Sequence, residues 1–226
     1  MIIQLIDYNR EMVAAWEKAF SGVSDITIQQ NSAFAVFTKC ICSPANGHCD
    51  MTGGFDLTIV NNLGQTCHAN AKKKVREEYN GELLVGQAMW VPTENPIIPY
   101  MISAPTMRCA QWLGPKSVNA YLAARAIFLL LKQPNLPFSV VTIPGLGTGV
   151  GKVPYHIAAH QMRAAYEEFY LGKYVFPENW KVAQEHQQYL CKIPQSQMTD
   201  LQFESNNVNV VSDDDLKDMF DGPTQF

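Results

Sequence analysis

The sequence predicts an α/β fold: one compact domain with a largely parallel or mixed sheet, covered by helices on both faces. Three observations predict it. Short β-branched apolar runs alternate with segments of helical spacing. A chain of 226 residues, 47% of them apolar, can bury one sizeable core. Two glycine-rich loops each join the end of a strand to the start of a helix, and in folds of this class ligands sit beyond the carboxyl ends of the strands.

In chain order, residues 2–6 read as the first strand and 8–20 as a helix, followed by strands at 26–28 and 40–42. Helical spacing returns at 55–63 and 67–79, and apolar runs at 85–91 and 97–103 read as two further strands. A helix is expected over 115–131, a strand over 138–143 and a helix over 154–170. In that last helix Ile157, Ala158, Met162, Ala165 and Phe169 share one stripe. Pro115 and Pro154 stand at helix starts, where the missing N–H costs nothing. The pattern weakens past Phe176, with one more helix expected near 178–190. The expected organisation is therefore a domain over 1–175, a helical extension over 176–204 and an acidic, flexible tail over 205–226.

Charge and composition exclude several classes. The net charge is −4, but residues 196–226 carry seven acidic residues against Lys217 alone, which leaves the rest of the chain at about +2. One dense basic run, Lys72, Lys73, Lys74 and Arg76, lies on an expected helix and reads as a solvated face, so dedicated nucleic-acid binding is not expected. No apolar run of about eighteen residues appears, and the first residues lack a basic leader, so a cytoplasmic protein without membrane attachment is expected. Six scattered cysteines fit reduced thiols; their spacing with His48 and His68 matches no paired Cys-x-x-Cys pattern, so neither metal nor cofactor is expected.

The chemistry lies in the loops. After the strand ending at Cys42 comes Ser43-Pro44-Ala45-Asn46, then Gly53-Gly54-Phe55-Asp56 leading into a helix. A glycine pair there lets an anion approach the free N–H groups of the first helical turn. After the strand ending at Ile143 comes Gly145-Leu146-Gly147-Thr148-Gly149-Val150-Gly151, whose alternating glycines expose successive N–H groups as an anion nest. Together the loops can grip a diphosphate while Asn46, both donor and acceptor, bonds a sugar hydroxyl. Neither better-known phosphate loop fits. The third glycine of a dinucleotide fingerprint would fall at Val150, and the first glycine of a triphosphate P-loop at Leu146.

These two loops, with Ala104-Pro105-Thr106-Met107-Arg108 between them, resemble the macro domain family over residues 1–172, and within it the bacterial and phage-associated branch. The resemblance implies a three-layer α/β/α fold with a mixed six-stranded sheet, and ADP-ribose or an ADP-ribosylated protein as partner. It implies that Asn46 meets the distal ribose and that Gly53, Gly54 and the loop 145–151 hold the diphosphate. It also implies that Asp56 matches an acidic residue used by one hydrolase branch. Three positions depart from the family pattern. Asn31 or Ser32 stands where many members have an aspartate for the adenine amino group. Gly151 replaces an aromatic residue, for which Tyr155 is the candidate substitute. Thr52 replaces a glycine.

The expected site therefore comprises Asn31, Ser32, Asn46, Gly53, Gly54, Phe55, Asp56, Gly145, Leu146, Gly147, Thr148, Gly149, Val150, Gly151 and Tyr155. Asp56 and Asn46 are the catalytic candidates, Asp56 by activating water or a ribose hydroxyl for attack at the anomeric carbon. Three functions stay open at this point: a hydrolase acting on ADP-ribose linked to protein or a small molecule, a non-enzymatic reader or sequestering module with the same pocket, and an interaction protein with a vestigial cleft.

Overall fold

The computed structural model describes residues 1–192. The acidic stretch expected at 205–226 lies outside the described residues. In chain order the elements are β1 (Ile2–Asp7), α1 (Arg10–Ala19), β2 (Ile26–Gln30), β3 (Cys40–Ser43), α2 (Gly54–Leu63), α3 (Gln65–Glu78), β4 (Met89–Pro92), β5 (Tyr100–Ser103), α4 (Asn119–Leu131), β6 (Val140–Ile143), α5 (Tyr155–Ala165) and α6 (Trp180–Leu190).

The strands form one six-stranded sheet in the order β2-β1-β6-β3-β5-β4. All neighbours are parallel except β4, which runs antiparallel to β5 at the edge. The sheet is mixed, as the sequence predicts. Side chains alternate along each strand and so divide the core in two. Cys40, Cys42 and Ile102 face the core shared with α1, α4 and α5; Ile41 and Met101 face the one shared with α2 and α3. Helices therefore cover both faces, and the central strands β3 and β6 are buried at every position.

Several element boundaries move for identifiable local reasons. The strand expected from residue 85 begins only at Met89, because Leu84–Gln87 closes a turn with Gln87 Oε1 accepting from Leu84 N at 2.8 Å. The strand expected from 97 begins at Tyr100, since the buried Thr93 hydroxyl donates to the Ile98 carbonyl at 2.5 Å and bends residues 93–98 into a tight loop. The helix expected from Pro115 starts at Asn119, after a turn in which Ser117 Oγ accepts from Asn119 N at 3.1 Å. The last helical stripe changes pitch: α5 ends at Ala165, and residues Tyr166–Tyr170 continue as one π-helical turn.

Because β1, β3 and β6 are adjacent and parallel in the sheet, their carboxyl ends, Asp7, Ser43 and Ile143, emerge along the same edge. Both glycine-rich loops leave from that edge.

Candidate functional site

A cleft of about 630 Å³ opens over the carboxyl ends of β1, β3 and β6. Both loops predicted from the sequence line it. Asn46, Gly53, Gly54, Phe55 and Asp56 come from the first, and Gly145, Gly147, Thr148, Gly149, Val150 and Gly151 from the second. Asn31 and Tyr155 also line it, whereas Ser32 and Leu146 do not. Leu146 is a core residue with no exposed surface, so its side chain anchors the glycine loop from below.

The loops present open backbone donors. Gly54 begins α2 with φ +57°, a conformation that glycine adopts without strain, and neither Gly53 before α2 nor Pro154 before α5 supplies a side-chain cap. No side chain therefore caps the first N–H groups of either helix, and Gly54, Phe55 and Asp56 of α2 and Tyr155 of α5 line the cleft, where an anion could meet them. In the second loop Gly145 N is already committed to Asp7 Oδ2 at 3.2 Å, which narrows the donor nest to the residues that follow it.

Gly151 is required by packing. A Cβ there would stand 2.5 Å from Gly147 O and 2.8 Å from Leu113 Cδ1. Leu113 and Gly114 both donate their N–H to Gly151 O, at 2.8 and 3.1 Å, so the segment after β5 lies directly against the loop. Leu113 thus crowds the side of Gly151 on which a larger residue would have to sit.

Asn46 is more constrained than its sequence context implies. Its Oδ1 accepts from His48 N and Asp50 N, each at 3.1 Å, and its Nδ2 donates to Asp50 O at 2.8 Å. Both lone pairs of the carbonyl are used, and one N–H is left for a ligand. The loop it shapes is fixed from outside by Gly47, which donates to the carbonyls of Met107 and Arg108 and accepts from Leu83 N. Arg108 pairs with Glu82 at 2.7 Å, and Asp50 lies 3.6 Å from Lys72 Nζ and 3.9 Å from His68 Nε2. Burial, then Lys72, lowers the pKa of His68, in keeping with its Nε2 accepting from Met51 N.

Asp56 is half-buried in the first turn of α2, and Ser43 Oγ donates to its Oδ1 at 2.6 Å. Burial pushes its pKa from the ordinary carboxylate value up to about 6, and the Ser43 hydrogen bond acts in the opposite direction. The result is a carboxylate that is ionised at neutral pH yet unusually basic, which suits proton abstraction from water or a hydroxyl.

Sequence reasoning missed one wall of the cleft. Asp7, Tyr8 and Asn9 at the end of β1 line it, as do Thr106, Met107, Cys109 and Ala110 after β5. Tyr8 is 71% exposed, an aromatic face on the cleft rim next to Asn31. The signal was available: Asp7 ends the first strand and Tyr8-Asn9 follow it, beyond the carboxyl end of a parallel strand, where ligands gather.

The Macro domain family model matches residues 42–162, more than half of the chain and both loops. An uncharacterized protein of Aquifex aeolicus is 31% identical over 138 residues, covering 61% of this chain and 78% of the relative. Among solved structures, an Oceanobacillus iheyensis macrodomain mutant with ADP-ribose superposes with a TM-score of 0.54 at 20% identity, covering 72% of this chain and 91% of that one. The macrodomain of Mycobacterium tuberculosis DarG superposes with a TM-score of 0.52 at 16% identity, covering 62% and 88%. The structural matches establish a common fold. Together with the family match across both loops, they show that this chain belongs to the macro domain family.

Proposed function

We propose that the cleft binds ADP-ribose or a closely related ADP-ribosyl metabolite, and that Asp56 promotes hydrolysis at the anomeric carbon of the distal ribose. The observation that carries this reading is the convergence of two uncapped helix starts and a glycine nest on one cleft, with a basic carboxylate beside them. A diphosphate bridging the two loops would fix both sugars, and the free N–H of Asn46 would hold a hydroxyl of the distal one. Asp56 would then take a proton from water or that hydroxyl as positive charge develops at the anomeric carbon. The Oceanobacillus iheyensis macrodomain that holds ADP-ribose supports the choice of ligand.

A second reading, a reader that binds without turnover, is favoured by Asn46, whose carboxamide is largely spent on its own loop. One pair of assays separates the two. Calorimetric titration with ADP-ribose, with AMP and an Asn46→Ala variant as controls, tests the cleft. Release of ADP-ribose from modified protein tests turnover. Binding in the micromolar range, weakened in the Asn46 variant and accompanied by release, supports the hydrolase. Binding without release supports the reader, and absence of micromolar binding rejects both.

A further inference from the structure

Tyr155 stands at the first position of α5, and its hydroxyl accepts a hydrogen bond from Nδ2 of Asn9 at 2.9 Å, a contact between residues far apart in sequence. The orientation of the Asn9 amide is not arbitrary. Its Oδ1 caps α1 by accepting from Glu11 N at 2.8 Å and Met12 N at 3.1 Å, so only the NH₂ end can face the phenol. A phenol that accepts from an amide must send its own hydrogen elsewhere, and Tyr155 has no acceptor among the described residues. Tyr155 lines the cleft, at a helix start without a side-chain cap.

Asn9 is itself held. Its N–H donates to Asp7 Oδ1 at 2.9 Å, while the other oxygen of Asp7 accepts from Gly145 N at 3.2 Å. The series Gly145–Asp7–Asn9–Tyr155 therefore clasps the glycine loop at its entry and at its exit, through Asp7 at the end of β1 and Asn9 at the cap of α1. A Cβ on Gly145 would come within 2.9 Å of Asp7 Oδ2, so the loop entry is packed against this series as well as bonded to it.

We infer that Asn9 is a positioning residue that fixes Tyr155 as a one-way hydrogen-bond donor to a phosphoryl oxygen of the bound ligand. The inference deepens the reading of the cleft as a diphosphate site and rests on it for the identity of the nucleotide. It requires only that the ligand carry phosphoryl oxygens. A donor whose lone pair is already occupied cannot serve a ligand N–H equally well, so the pair also selects for acceptor-rich, anionic groups.

The test uses Asn9→Ser, which keeps a helix cap but cannot reach Tyr155, together with Tyr155→Phe and the double variant. Each is titrated calorimetrically with ADP-ribose and with inorganic pyrophosphate, and its melting midpoint is recorded. Each single variant is expected to weaken both probes by a similar factor, about three- to tenfold. The double variant is expected to be no weaker than either single one, with melting midpoints close to wild type. Wild-type affinity in either single variant, or factors that multiply in the double variant, would overturn the inference. If pyrophosphate follows the expected pattern while ADP-ribose does not bind, the positioning role stands and the ADP-ribose reading falls. If neither probe binds the wild type, both fall.

Discussion

Ser43, fully buried at the end of β3, donates its hydroxyl hydrogen to Asp56 Oδ1 across 2.6 Å, joining that strand to the first turn of α2. The bond opposes the effect of burial, which holds the Asp56 carboxyl near pH 6. Removing it in Ser43→Ala should raise that value further. In a pH series the acid limb of ADP-ribose release should move up by about one unit. Stability should fall by about 1–3 kcal/mol at pH 8, where the carboxylate is left charged, and by less at pH 4.5, where it is protonated.

The same displacement predicts the behaviour of Asp56→Asn. A carboxyl whose folded pKa is raised binds more protons folded than unfolded, so stability falls as pH rises from its unfolded value through about 6. Asn, uncharged and still able to accept from Ser43, should therefore melt higher than wild type at pH 8, by about 1–2 kcal/mol, with the difference closing towards pH 4.5. Release of ADP-ribose should drop by about a hundredfold or more while its binding stays within about threefold. Full turnover in this variant would remove Asp56 from the mechanism.

The glycines of the two loops separate close packing from ligand approach. Gly53 has extended backbone, and a Cβ there would meet nothing within 4 Å. Gly53→Ala should leave the melting midpoint unchanged and weaken ADP-ribose by about tenfold if the diphosphate lies on this turn. Gly151→Ala, which must displace Leu113 or the Gly147 carbonyl, should cost about 1–3 kcal/mol of stability before any ligand is added. Equal thermal behaviour of the two variants would contradict the packing of the segment after β5 against the glycine loop.

Away from the cleft, Glu168 ties α6 to the domain: His186 lies 2.8 Å from its Oε1, and Tyr121 donates to its Oε2 at 2.6 Å. Burial raises the Glu168 pKa, but the bonds from His186 and Tyr121 outweigh it and leave the carboxyl below its ordinary value. The stability this provides is present above the unfolded carboxylate value and is lost as pH falls through the folded one. Glu168→Gln should cost about 1–2 kcal/mol at pH 7 and little below pH 4. Hydrogen exchange should show the loss first in α6, over Trp180–Leu190.

The alternation of strands and helices, the two-faced sheet and the two anion loops are legible in the sequence, because each is written within a short window. Alternating Cys40-Ile41-Cys42 marks a strand buried on both faces, and glycines before α2 and α5 mark turns that a nearby anion can approach. The same loops carried the resemblance to the macro domain family. Boundaries such as the late starts of β4 and α4 were less legible, since one side-chain bond, from Gln87 or Ser117, decides them. The rest depends on contacts distant in sequence: Leu113 fills the space beside Gly151, and Asn9 meets Tyr155. Hydrophobic periodicity and turn chemistry act over a few residues. These contacts join positions that only the closed sheet brings within hydrogen-bond reach, and no local pattern encodes which partner will be there.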